Sequence, residues 1–177
     1  MNELRFDDEV VVVTGAGRGV GRSHALSFAA RGARVVVADL GVQVDGSAPS
    51  SDPAHEVVGE ISANGGEAIA RYCSVADEDS AAAIVAAAVD TYGRIDAVVN
   101  NAGIGLGGLF ADTDPQQFRT LMDVHYFGTL YVTRAAWPHF VSRPTVCWSA
   151  GWPTPSIRCS AHRSAAAGRR PPSRRVR

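Results

Sequence analysis

A chain of 177 residues, 46% of them hydrophobic, is long enough for one domain with a substantial core and short for two. The net charge of -1 hides a division: residues 1–143 carry 10 arginines and all 18 acidic residues, whereas residues 144–177 carry 7 arginines and no acid. There is no lysine, no apolar run long enough to span a membrane, and no basic-then-apolar layout at the polar N-terminus to suggest a signal peptide, so a cytoplasmic protein without membrane partners is the expectation. Cys73, Cys147 and Cys159 share no paired spacing, which argues against a disulfide framework and against a zinc site; no metal is expected.

Val10 to Val13 is a continuous β-branched run stopped by Thr14-Gly15, the pattern of a strand buried on both faces. A helix is predicted from about Gly19 to Arg31, then a second strand over Arg34 to Ala38. The stretch from Gly41 to Pro53, rich in Gly, Ser, Asp and Pro, reads as a surface loop. A helix over Ala54 to Ala63, a third strand over Ala68 to Cys73, an alanine-rich helix over Ser80 to Tyr92 ended by Gly93, and a fourth strand over Ile95 to Asn100 follow. Asp114-Pro115-Gln116-Gln117 has the residues of a capping box with proline at the first helical position, and predicts a long helix to about Phe140. Strands alternating with helices imply an α/β fold, a doubly wound parallel sheet with helices on both faces.

Directly after the first strand stands Thr14-Gly15-Ala16-Gly17-Arg18-Gly19-Val20-Gly21, opening into a helix. Glycines there permit a tight turn and let the backbone approach a pyrophosphate, whose charge the helix N-terminus favours. Asp39, at the end of the second strand, stands where an acidic residue would bond the adenosine ribose hydroxyls and repel a 2′-phosphate. The expected cofactor is therefore NAD rather than NADP. An ordinary strand-to-helix turn is the plain alternative for the glycines, and a turn or cap role for Asp39. Arg18 is read either as a solvated loop residue or as a phosphate contact.

The Thr-Gly-x-x-x-Gly-x-Gly spacing, with Asn100-Asn101-Ala102-Gly103 after the fourth strand, resembles the short-chain dehydrogenase/reductase family over residues from about 5 to 143. The resemblance implies a Rossmann-like sheet in which Gly15, Gly19 and Gly21, with Arg18 and Val20, border the pyrophosphate. It places Asp39 and Leu40 at the adenine ribose, Ser74 and Val75 beside the adenine, and Asn101, Ala102 and Gly103 along the cofactor. Asp39-Leu40-Gly41, Ser74-Val75-Ala76-Asp77, Val124-His125 and Val132-Thr133-Arg134-Ala135-Ala136-Trp137 are further similar to the dehydrogenase units of peroxisomal multifunctional β-oxidation enzymes and their bacterial relatives, which implies a 3-hydroxyacyl-CoA as the small-molecule substrate.

The family's reaction, hydride transfer between NAD and a hydroxyl or carbonyl carbon, uses a tyrosine as acid and base and a lysine four residues on that lowers its pKa. A chain without lysine has no such pair. Ser149 falls about where the family's serine would stand, and His125 where many members place an active-site asparagine. These are the two weak catalytic candidates, each with a bland alternative: a tail serine, and a core histidine bonded to a carbonyl. On helical spacing His125 shares a face with Phe118, Leu121 and Met122 and is expected to point inward.

Resemblance stops at about Arg143. Residues 1–143 read as a partial NAD-binding domain and residues 144–177 as a disordered Arg/Pro/Ser-rich tail, apart from one candidate strand at Thr145 to Trp148. The sheet is then incomplete at its C-terminal side, with an apolar edge at the fourth or fifth strand. The chain reads as an NAD-dependent dehydrogenase by descent that has lost its reaction. Its alternative is a non-catalytic NAD-binding module or decoy subunit, forming a homo-oligomer or pairing with a full-length relative. The tail's charge of +7 would attract phosphates, but no recognition element accompanies it, so nucleic acid is not an expected partner. The break at Arg143 reads as a truncated or shifted reading frame. Sequencing the coding DNA beyond the Arg143 codon should reveal Tyr-x-x-x-Lys in another frame; no such codons in any frame would refute the shift.

Overall fold

Successive residues of a strand face opposite sides of its sheet, and all five residues of β1 (Val10–Thr14) are buried, so β1 must be covered on both faces. The computed structural model describes residues 4–42 and 52–142, with the backbones of 145–150 and 157–160. In chain order α1 spans Gly19–Ala30, β2 Arg34–Ala38, α2 Asp52–Ala63, β3 Glu67–Arg71, α3 Glu78–Tyr92 and β4 Ala97–Asn100. A 3-10 turn at Phe110–Asp112 precedes α4 (Pro115–Met122), which runs through a π turn at Asp123–Phe127 into α5 (Gly128–Val141). β5 (Thr145–Ala150) and β6 (Ile157–Ser160) join a sheet of order β3-β2-β1-β4-β5-β6. The first five strands are parallel and β6 is antiparallel to β5. This is the doubly wound, Rossmann-like α/β fold.

The two faces carry separate cores. Val11, Val13, Val35 and Val37 meet Ala25 and Ala29 of α1 and Val57 and Ile61 of α2. Val10, Val12, Val36 and Val98 meet Ile84, Val85 and Ala88 of α3 and Val132, Ala136 and Phe140 of α5. Each buried valine or isoleucine contributes roughly 1.5–3 kcal/mol relative to an exposed one. Small residues on α1 and α3 let those helices lie close to the sheet.

Local signals set the helix ends. Asp77 accepts a hydrogen bond from the Ser80 N–H to start α3, and Gly93 ends it in the left-handed conformation at φ 72°. Asp114 and Gln117 form the expected capping box at α4, with Pro115 at its first turn.

Three expectations change. The long helix to Phe140 is continuous, but the π turn adds a residue relative to an α turn and breaks the single 3.6-residue stripe. The buried face of α5 is Gly128, Val132, Ala136 and Phe140, while Phe118 and Met122 are 41% and 51% exposed and His125 is exposed, not inward. The candidate strand at Thr145 to Trp148 extends to Ala150, and the backbone of Ile157–Ser160, within the stretch expected to be disordered, is a strand. The rest of that tail lies outside the described residues. β4 is consequently no edge, because β5 pairs with it and β6 pairs with β5.

At the opposite end of β1 from the glycine turn, the Asp96 carboxylate accepts from the Val10 N–H at 2.8 Å and from Arg94 Nε and Nη2 at 2.7 and 2.5 Å. Asp96 is 7% exposed, so this pair locks the start of β1 against the segment entering β4. Burial first, and then the Asp96 charge, push the neighbouring Glu9 carboxyl up, against an opposing pull from Arg94. A carboxyl with a raised folded-state pKa favours folding while protonated; that advantage is lost as pH rises through the raised value. Glu9→Gln should therefore be more stable than wild type at pH 7, with the gap closing towards pH 4 in denaturant melts. A gap independent of pH would contradict it.

Candidate functional site

The strand order reverses direction between β1 and β4, and ligands of doubly wound sheets bind outside the carboxyl ends of the strands at that point. A cleft of about 500 Å³ lies there. The β1–α1 turn contributes Gly15, Arg18 and Gly19; the end of β2 contributes Asp39 and Leu40; the β3–α3 segment contributes Ser74 and Val75; and the end of β4 contributes Asn101, Ala102 and Gly103.

The turn lies against the end of β4 with no room to spare. A Cβ on Gly15, which has φ 62°, would stand 2.7 Å from Ala102 Cα, and one on Gly21 would collide with the Gly15 carbonyl. The Thr14 hydroxyl accepts from the Asn101 and Ala102 N–H groups at 3.1 Å each and lies 3.4 Å from the Val99 carbonyl, to which it donates. The Asn101 amide donates to the Thr14 and Gly15 carbonyls, both at 3.0 Å. Asn100, 6% exposed, instead donates to the Thr133 hydroxyl on α5 at 3.1 Å.

A different space faces Gly19. At φ 52° its Cβ position meets nothing within 4 Å. No side chain caps α1 and no acidic residue occupies its first turn. A helix N-terminus presents unsatisfied N–H groups and a partial positive charge, so this opening fits a phosphate or pyrophosphate.

Asp39 is held where the sequence puts it. Its carboxylate accepts from the Gly17 N–H at 2.6 Å and the Gly41 N–H at 2.5 Å. Two oxygens offer about four acceptor positions, so capacity remains for a pair of hydroxyls. Ser74 accepts from the Ala76 N–H at 3.2 Å, which shapes the facing wall. Val75 lies under α5, where a Cβ on Gly128 would come 2.7 Å from its Cγ2.

Ten of the twelve cofactor candidates border the cleft; Val20 and Gly21 do not. Val20 is 67% exposed on the outside of α1, and Gly21 is buried beneath the turn, where it permits the close approach. Val42, Cys73, Ala76, Ile104, Thr120 and Val124 line the cleft without having been foreseen. Cys73 and Ala76 adjoin Ser74-Val75 and were within reach of the motif. Thr120 and Val124 arrive with α4 and its π turn, and no local pattern announces them. Burial pushes the Cys73 thiol up, which keeps it protonated and unreactive at neutral pH.

The weak catalytic candidates are not brought into the cleft together. His125 does not line it; its Nε2 lies 2.8 Å from the Ile104 carbonyl and 3.2 Å from the Ile104 nitrogen. Ser149 stands at the register position opposite Val99, near the C-terminal end of β5, and its side chain lies outside the described residues. Among the described residues no three His, Cys, Asp or Glu side chains gather as a metal site would require, and no helix is long and apolar enough to cross a membrane.

A glycine turn, an acidic β2 end and a helix N-terminus around one crevice define the dinucleotide-binding class of α/β proteins. The short chain dehydrogenase family matches residues 9–145, and the chain belongs to it. It is 50% identical over 133 residues to a short-chain type dehydrogenase/reductase of Mycobacterium tuberculosis, covering 75% of this chain and 46% of that protein. It is 48% identical over 136 residues to the mouse peroxisomal multifunctional enzyme type 2, covering 77% of this chain and 18% of the enzyme. A 7α-hydroxysteroid dehydrogenase structure, in complex with NADH and 7-oxo glycochenodeoxycholic acid, superimposes with a TM-score of 0.74 at 31% identity, covering 82% of this chain and 53% of that one. The chain thus spans about half or less of the length of these relatives, and the match ends within two residues of the compositional break at Arg143.

The two kinds of glycine predict opposite phenotypes. Gly21→Ala should lower stability by about 2 kcal/mol or more through backbone collision. Gly19→Ala should cost the fold only about 1 kcal/mol of left-handed strain while its methyl occupies the phosphate space. Thermal melts and nucleotide titration of both variants check this; equal effects of the two on stability and on binding would contradict it.

Proposed function

We propose that this chain is an NAD-binding member of the short-chain dehydrogenase/reductase family that does not catalyse hydride transfer. The observation that carries the cofactor reading is Asp39, bordering the cleft beside the glycine turn with its carboxylate fixed by the Gly17 and Gly41 N–H groups. A carboxylate at the ribose accepts from the 2′- and 3′-hydroxyls of NAD, whereas the 2′-phosphate of NADP would meet it as a like charge. The α1 N-terminus would hold the pyrophosphate, and Leu40, Ser74 and Val75 would flank the adenine.

When bound, NAD supplies hydride acceptance at its nicotinamide ring. The chain's own residues would hold and orient the dinucleotide, but with no lysine they lack the partner that brings a tyrosine hydroxyl into the range of acid and base work. The substrate class inherited through the family is a 3-hydroxyacyl-CoA, a reading supported by the 48% identity to the multifunctional enzyme.

A second reading, a decoy subunit joined to a full-length relative or to its own copy, is favoured by one surface. Phe118, Met122, Tyr126, Leu130, Trp137 and Val141 are exposed along α4, the π turn and α5, large apolar groups suited to a partner.

Calorimetric titration of the purified chain should show NAD binding, with NADP at least tenfold weaker because of the like-charge contact. A 3-hydroxyacyl-CoA offered with NAD should yield no NADH. Absence of NAD binding refutes the cofactor reading, and measurable turnover refutes the loss of catalysis.

A further inference from the structure

Gly17 belongs to the glycine turn but does not line the cleft. Its φ is not in the left-handed region, so space rather than backbone conformation demands a glycine there. An added Cβ would stand 2.7 Å from the Pro53 Cβ on one side and 3.0 Å from the Asp39 Cγ and Oδ2 on the other. The turn is thus clamped between the first turn of α2 and the carboxylate to which the Gly17 N–H donates at 2.6 Å.

The two walls of this clamp differ in how far they can yield. Pro53 is a buried ring on a helix whose Ala54, Val57 and Ile61 are seated in the core, and Glu60 of the same helix pairs with Arg22 of α1. A ring so held, in an interior with few voids, is a fixed wall. Asp39 presents the end of a side chain, whose orientation is set by what its oxygens accept: Oδ2 from the Gly17 N–H and Oδ1 from the Gly41 N–H. With both bonds made, the plane of the carboxylate is fixed and each oxygen keeps acceptor capacity for a hydroxyl. With the Gly17 bond weakened, the terminal torsion is broad and the carboxylate can turn aside from a larger group.

We propose that Pro53 is a positioning residue for the choice of cofactor: it backs the Gly17 N–H against Asp39, and rejection of a 2′-phosphate depends on that backing as well as on the Asp39 charge. The inference rests on the cleft being the NAD site. It extends the determinants of cofactor choice to α2, since Pro53 does not itself border the cleft.

Gly17→Ala puts a methyl into the clamp, where the carboxylate is the wall that gives. Pro53→Gly removes the Cβ that makes the contact, whereas Pro53→Ala keeps it. Each variant is titrated calorimetrically with NAD and with NADP, and the ratio of the two affinities is read. In Gly17→Ala and in Pro53→Gly the preference for NAD should fall to about a third of the wild-type ratio or less, the effect of weakening one hydrogen bond to a charged group. In Pro53→Ala it should stay within about twofold of wild type. An unchanged ratio in folded Gly17→Ala or in Pro53→Gly overturns the proposal, including the case in which both affinities fall equally, which is a general structural effect. A ratio in Pro53→Ala as low as that of Pro53→Gly overturns it too, and the two Pro53 variants decide the matter if Gly17→Ala does not fold. A wild-type chain that binds neither nucleotide, or both alike, overturns the cofactor reading and this inference together; a wild-type preference for NAD that survives in the variants overturns this inference alone.

Discussion

The structure turns on the contact between the β1–α1 turn and the end of β4. The Thr14 hydroxyl gathers two N–H groups from Asn101 and Ala102 while the Asn101 amide bonds two carbonyls of the turn. These bonds form only because Gly15 and Gly21 carry no Cβ in a space that has none to give. The same contact joins neighbouring strands at the switch point and sets the α1 N-terminus over the crevice. Loosening it would disturb sheet, helix and cleft at once, because they share these few backbone atoms.

Charge is placed with comparable economy. Asp39 could not border an apolar cleft without partners, and the Gly17 and Gly41 N–H groups supply them while tying the end of β2 to the glycine turn. At the other end of the central strand, Asp96 holds the Val10 N–H and Arg94 in the same way. The parallel sheet is therefore pinned at both ends of β1 by carboxylates that accept from backbone, one facing the cleft and one remote from it. The residues that border the cleft all lie in the part of the chain that matches the family.

Much of this arrangement was legible residue by residue. The valine run of β1, the glycine turn and the acid at the end of β2 are local patterns whose meaning depends on near neighbours; together with the family resemblance, which supplied Ser74, Val75 and Asn101 to Gly103, they gave twelve cofactor candidates, of which ten border the cleft. Gly21 was placed in the right motif with the wrong duty: it makes room for the Gly15 carbonyl instead of facing the cleft. Val20 lies on the exposed side of the first turn of α1 and does not border the cleft. The exposed position of His125 was missed because helical spacing groups Phe118, Met122 and His125 on one face without saying whether that face is covered, and all three are exposed.

By itself the sequence determined the α/β class, the order of the first four strands and their helices along the chain, the caps at Asp114 and Gly93, and the place of the glycine turn. Each follows from backbone preference or from a hydrophobic period within a short window. Only the tertiary structure decided that Thr120 and Val124 wall the cleft, that His125 meets Ile104, that Asn100 reaches Thr133, and that β6 runs antiparallel at the edge of the sheet. Those contacts join segments whose local patterns carry no record of one another, and packing the helices onto a twisted sheet is what brings them within reach.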